Sequence, residues 1–171
     1  MSEHHHKKLF YVLGNFGAKT KEFATKLSEQ YPEANLLLFE DILMKQPSFI
    51  TGQEIVSYPS YLRSEVHVAA QAVVEESLVD SFTIEQSLIL AGTGSNGPNI
   101  LPFFKSVKLL GYHLTIYYID VNVKDQIENL KSSSIPISYG TLVDTQTRLK
   151  SNLPAFMEIA NRFIEIIDGS C

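Results

Sequence analysis

Five short apolar runs, most of them separated by stretches of helical periodicity, constrain this chain more than any other feature. They are Leu9–Leu13, Ala34–Phe39, Ser87–Ala91, His113–Ile119 and Phe163–Ile167. Ala34–Phe39 is apolar almost throughout, the mark of a strand buried on both faces. Between the runs, Lys19–Gln30 carries Phe23 and Leu27 at helical spacing and ends at Tyr31-Pro32. Residues 60 to 80 place Val66, Ala70 and Val73 on one helical face, and 98 to 110 form a helix opened by Pro98 and stopped by Gly111. Val123–Lys131 and Thr141–Lys150 read as helices, and Ser151-Asn152-Leu153-Pro154 as a cap and restart. Pro47–Pro59 and Ser132–Gly140 read as loops. Alternating strands and helices predict an α/β, three-layer sandwich: a five-stranded parallel sheet with helices on both faces.

At 171 residues the chain is expected to form one domain over 9–171, behind a flexible tail at 1–8. No run approaches the roughly 18 apolar residues of a membrane span. Met1–Lys8 is followed by no signal-peptide core, and Cys171 is the one cysteine, so a cytoplasmic, disulfide-free protein is expected. A net charge of −5 argues against nucleic acid as a partner. His4–His6 suit a solvated tail better than a metal site, and His67 suits a partly buried histidine satisfied by a neighbour.

The chemistry is expected beyond the carboxyl ends of the strands, where open α/β sheets bind ligands. Leu9–Leu13 runs into Gly14-Asn15-Phe16-Gly17-Ala18-Lys19-Thr20, and a helix opens there. A strand, a glycine turn and a helix N-terminus together hold phosphates: backbone N–H groups converge and the helix end adds partial positive charge. A lysine in that place reaches the outer phosphates, and a threonine hydroxyl meets Mg²⁺. The loop is one residue short of G-x-x-x-x-G-K-[ST], with Ala18 in place of the second glycine. Glu40-Asp41, Thr93, Ser95, Asp120 and Asp168 follow other strand ends. Asp41 is equally placed to cap a helical turn at Ile42–Lys45. A second pattern, Gly92-x-Gly94-x-x-Gly97 with Asp120 after the next strand, satisfies the local dinucleotide fingerprint. That reading, an NAD-dependent oxidoreductase, would have to begin in mid-chain, and Pro98 removes a donor where a pyrophosphate wants one.

Several segments, taken in order, resemble the zeta-toxin-like P-loop kinases. They are Gly14–Thr20, Phe39–Phe49, Val66–Ala70, Leu88–Ser95, Phe104–Asp120 and Asn161–Asp168. The resemblance implies a nucleotide-kinase-like fold, ATP or GTP with Mg²⁺, and phosphoryl transfer to a hydroxyl of a nucleotide sugar or other small molecule. It implies Lys19 on the β/γ-phosphates and Thr20 on the metal, with Gly14, Asn15, Gly17 and Ala18 cradling the nucleotide. Asp41 would be the base, and Glu40, Thr93 and Ser95 would face the acceptor. A protein partner is compatible with this and is not named by it. The chain departs from the family in three places: the short loop, Ala91 where many P-loop enzymes keep an acid, and a lid at Val121–Gly140 with Lys124 and Lys131 but no arginine. Such arginines are worth roughly 10³–10⁵ in rate, and a lysine lacks their planar grip on phosphate. A catalytically impaired binding or regulatory module of the same fold is therefore the alternative.

Overall fold

The computed structural model describes residues 7–46, 60–132 and 136–167, without the side chains of 60–64. Most of the N-terminal tail, the loop at 47–59, the centre of the loop at 132–140 and Asp168 lie outside those residues. In chain order the elements are β1 (Lys8–Leu13), α1 (Thr20–Gln30), β2 (Asn35–Leu37), α2 (Phe39–Met44), α3 (Ser60–Thr83) and β3 (Leu88–Gly92). They continue with α4 (Gly97–Leu109), β4 (His113–Asp120), α5 (Val123–Leu130), α6 (Tyr139–Ile159) and β5 (Arg162–Ile167). The strands form one parallel sheet in the order β2-β3-β1-β4-β5.

β1 takes the centre because all of Leu9–Leu13 is buried, which only a strand covered on both faces achieves. Its side chains alternate between two layers. Leu9, Tyr11 and Leu13 pack with Phe104 of α4 and with Leu149 and Phe156 of α6. Phe10 and Val12 pack with Ala24 and Leu27 of α1. Phe104 meets Tyr11 edge-on at 5.0 Å and Phe156 at 5.9 Å, the T-shaped geometry ring quadrupoles prefer. Every strand points its carboxyl end the same way, so the loops after β1, β2, β3 and β4 share one edge of the sheet. Among the described residues no helix is long and apolar enough to cross a membrane.

Four expectations need correction. β2 spans only Asn35–Leu37, because Phe39 already starts α2 and the Ile42 N–H returns to the Leu38 carbonyl at 3.2 Å. Asp41 is therefore inside the first turn of α2 rather than its cap. On α3, Val66 and Ala70 are buried, but Val73 is 45% exposed; Leu78 and Phe82 continue the inner face instead. The expected break at Ser151–Pro154 is the interior of the 21-residue α6. Pro154 costs that helix one hydrogen bond on its exposed side. The buried Leu149 and Phe156 outweigh the loss by keeping both halves against the same core.

Candidate functional site

The loop from β1 to α1 is tighter than a full phosphate loop. Gly14 N–H donates to the Gly92 carbonyl at 3.1 Å, fastening it to the neighbouring strand end. Ala18 N–H donates to the Asn15 carbonyl at 3.0 Å, closing residues 15–18 as a β-turn with Gly17 at φ +79°. That φ suits glycine at the third turn position. The missing residue thus turns an open cradle into a closed turn and spends the N–H that directly precedes Lys19. Lys19 itself has φ +58° and ψ +39°, left-handed for a residue with a side chain, and no side chain caps α1. An uncapped helix start leaves donors unsatisfied. Among the described residues the N–H groups of Phe16, Gly17, Lys19 and Thr20 have no partner, and the exposed Lys19 forms no ion pair.

The far side of the loop is held by α5. A Cβ on Gly17 would collide with the Gln126 carbonyl oxygen, and the Gly17 carbonyl accepts from Asn129 Nδ2 at 2.8 Å. Asn15, 3% exposed, donates to Gln126 Oε1 at 2.9 Å and to the Leu142 carbonyl at 3.0 Å. Asn15 Oδ1 is left buried without a partner, a cost of about 1–3 kcal/mol that stability alone gives no reason to carry.

Across from the loop stand the acids after β2. Asp41 pairs with Lys21 of α1, Oδ1 to Nζ at 2.6 Å, with both side chains partly exposed. That hydrogen bond raises the lysine's pKa above its ordinary value. Partial desolvation raises the Glu40 carboxyl, with Lys21 pulling the other way. Phe39 stacks on His67 of α3, ring centroids 6.1 Å apart; His67 is exposed, not partly buried as its sequence setting suggested. Thr93 and Ser95 bond each other, Oγ1 to Oγ at 2.9 Å, beside Gly94.

The second glycine pattern is occupied by protein. A Cβ on Gly94 would collide with Leu13 Cδ1 and approach Phe156 at 2.9 Å, while one on Gly97 would meet Asn152 Oδ1 at 2.7 Å. Asn152 Nδ2 donates to the Gly94 carbonyl at 2.9 Å. These glycines admit α6 against the core, so their close approach is to the chain's own side chains rather than to a dinucleotide.

Cations are sparse here. Arg148 pairs with Asp144 at 3.1 Å on the exposed face of α6, and Lys131 pairs with Glu128 at 2.7 Å. Arg162 opens β5, at the opposite end of the sheet from the loop. Ala91 leaves the end of β3 without an acid. Asp120 accepts from Tyr118 Oη at 3.3 Å, a partnership that, after desolvation, helps push the phenol's pKa up. It also lines an open cavity of about 600 Å³ with Asn122, Gln146, Lys150 and Ile167.

Unspent N–H groups at a helix start and an exposed ammonium without an ion-pair partner among the described residues fit a phosphate group. A metal has less to hold it: among the described residues no group of three His, Cys, Asp or Glu side chains stands together. Mg²⁺ at this loop would rest on Thr20 and on the oxygens of the phosphates themselves.

A parallel sheet of this order, with a glycine loop between its central strand and first helix, defines the P-loop nucleotide-kinase-like fold, and it is the fold of the zeta-toxin-like kinases. Solved structures agree. A chain from the PezAT chromosomal toxin–antitoxin system of Streptococcus pneumoniae aligns over 98% of this chain and 70% of its own, with a TM-score of 0.71 and 12% identity. Shikimate kinase from Acinetobacter baumannii, solved with shikimate, aligns over 96% and 86%, with a TM-score of 0.57 and 18% identity. The tunicamycin resistance protein of Deinococcus radiodurans aligns over 94% and 86%, with a TM-score of 0.54 and 17% identity. At such identities the likeness is one of fold. No family model and no curated protein matches the sequence.

Sequence reasoning missed Lys21, Gln126 and Asn129. For Lys21 the signal was a second cation in the first turn of α1. For Gln126 it was subtler: α5 buries Gln126 and leaves the adjacent Ile127 40% exposed, the reverse of what polarity alone suggests.

Proposed function

We propose that the chain binds the phosphates of a nucleotide at Gly14–Thr20 and acts as a catalytically impaired P-loop-fold module, with binding or regulation as its role. One observation carries this: unpartnered loop and helix N–H groups stand beside the exposed Lys19, while Arg148 of the following helices is paired with Asp144. Donors at a helix N-terminus hold an anion once the Lys19 ammonium beside them supplies the full charge. Charge on a transferring phosphoryl group needs more, and lacking an arginine costs roughly 10³–10⁵ in rate. ATP or GTP, with Mg²⁺ carried mainly by its phosphates, is the ligand class, which sets the work in the cytoplasm.

The ion pair of Lys21 and Asp41 beside Glu40 favours a second reading, a small-molecule kinase like the zeta toxins. There Asp41 takes the proton of an acceptor hydroxyl lying against Glu40, Thr93 and Ser95. A pair this exposed costs only about 0–1 kcal/mol to open, so it does not block that role. Calorimetry with Mg-ATP, Mg-GTP and NAD(H), followed by phosphate transfer to a panel of nucleotide sugars, separates the readings. The module binds a triphosphate, loses it in Lys19→Ala and transfers nothing. Turnover that vanishes in Asp41→Asn while binding persists selects the kinase. NAD binding that survives Lys19→Ala defeats both.

A further inference from the structure

Asn129 Nδ2 takes the Gly17 carbonyl at 2.8 Å, and the Gln126 backbone lies where a side chain at Gly17 would go. The Gln126 side chain, 1% exposed, accepts from Asn15 at 2.9 Å and donates to the Val121 carbonyl and to Gln146 Oε1, the latter at 3.2 Å. Asn15 also reaches the Leu142 carbonyl of α6. In a trans peptide the N–H and C=O groups point in opposite directions. The Gly17 carbonyl shares its peptide with the Ala18 N–H that closes the 15–18 turn, so a helix that holds this carbonyl and the Asn15 side chain fixes the turn on which the unspent N–H groups are mounted.

We propose that Gln126 and Asn129 are positioning residues for the phosphate loop. They hold Asn15 and the Gly17 carbonyl against α5, so that the unspent N–H groups of Phe16, Gly17, Lys19 and Thr20 are presented together to an anion. Through Leu142 and Gln146 the same amide network ties the loop to α6, whose Asn152 holds the second glycine loop. A tight turn that is a residue short has little geometry of its own for anion binding; the buttress from α5 supplies it. This rests on the reading that the loop receives phosphates.

The test uses the full chain, the probe inorganic tripolyphosphate, and the variants Asn129→Ala and Asn129→Leu, the second keeping the size of the side chain without its donor and without adding charge. Hydrogen exchange of the amides at 15–20 is measured without ligand, and tripolyphosphate affinity by calorimetry, with urea unfolding as the control. Both variants are expected to speed loop exchange and to weaken the anion about three- to tenfold, the worth of one neutral hydrogen bond, with the unfolding midpoint lowered only slightly and the affinity loss present where both proteins are fully folded. Loop exchange and affinity equal to wild type overturn the proposal. So does a loss of affinity that only tracks a lower unfolding midpoint. If wild type fails to bind tripolyphosphate while loop exchange still rises in the variants, the buttress stands and the phosphate reading falls.

Discussion

At Gly14–Thr20 the glycines lie among backbone donors with no partner, and the lysine that follows is exposed. At Gly92–Gly97, one strand over, a pattern that matches its textual motif better is packed with Leu13, Phe156 and Asn152. Both loops leave the same edge of the sheet and both precede a helix. The difference is what lies against the glycine Cα atoms, core side chains and Asn152 in the second loop, and that only the first loop is followed by an exposed lysine. Glycine spacing reports that backbone must come close to something; it does not report whether that something is a ligand or the chain's own α6. In the first loop α5 approaches from the carbonyl side and leaves donors over. In the second, α6 takes the carbonyl and the Cα faces alike.

The largest effect expected from breaking this contrast is at Gly94. Gly94→Val must adopt φ +65° and displace Leu13 and Phe156. Overpacking and left-handed strain together should cost roughly 2–4 kcal/mol, read as a lowered urea midpoint. Asn152→Ala removes the donor to the Gly94 carbonyl and should cost about 1–2 kcal/mol without altering tripolyphosphate binding. If Asn152→Ala instead abolishes that binding, the second loop belongs to the site and the contrast fails.

Lys19→Gly sharpens the comparison because its two effects have opposite signs. Relief of the left-handed strain, less the entropy glycine adds to the unfolded chain, should leave a gain of about 0.5–1 kcal/mol. Tripolyphosphate binding should disappear in the same protein. A residue kept at a stability cost for its charge predicts that pair of results; a packing residue predicts neither.

The smallest effect concerns pH. The raised Glu40 pKa means that the folded protein holds this proton more tightly than the unfolded chain does. Its contribution is fully present below the ordinary glutamate pKa and is lost as pH rises through the folded value. Glu40→Gln should therefore gain stability relative to wild type at neutral pH and show no gain at pH 4, measured by urea unfolding at both. An equal difference at the two pH values would mean that desolvation of the carboxylate is not the cause.

The chain's own pattern determined the layers. Apolar runs too uniform for a one-sided strand demand cover on both faces, and helical stretches between them are the cover, so a parallel sheet with helices on each side follows from hydrophobic burial alone. The Gly111 stop and the start of α1 were legible for local reasons, whereas the place of β1 at the centre of the sheet came from the structure. Tertiary structure decided what local pattern leaves degenerate. Whether Pro154 ends a helix depended on Leu149 and Phe156 finding a common core. Whether Asp41 caps a turn or pairs with Lys21 depended on where α2 sits against α1. Which side chain takes each glycine loop's carbonyl depended on whether a distant helix presents Asn129 or Asn152, because hydrogen bonds are settled between groups more than fifty residues apart, and no spacing along the sequence encodes that distance.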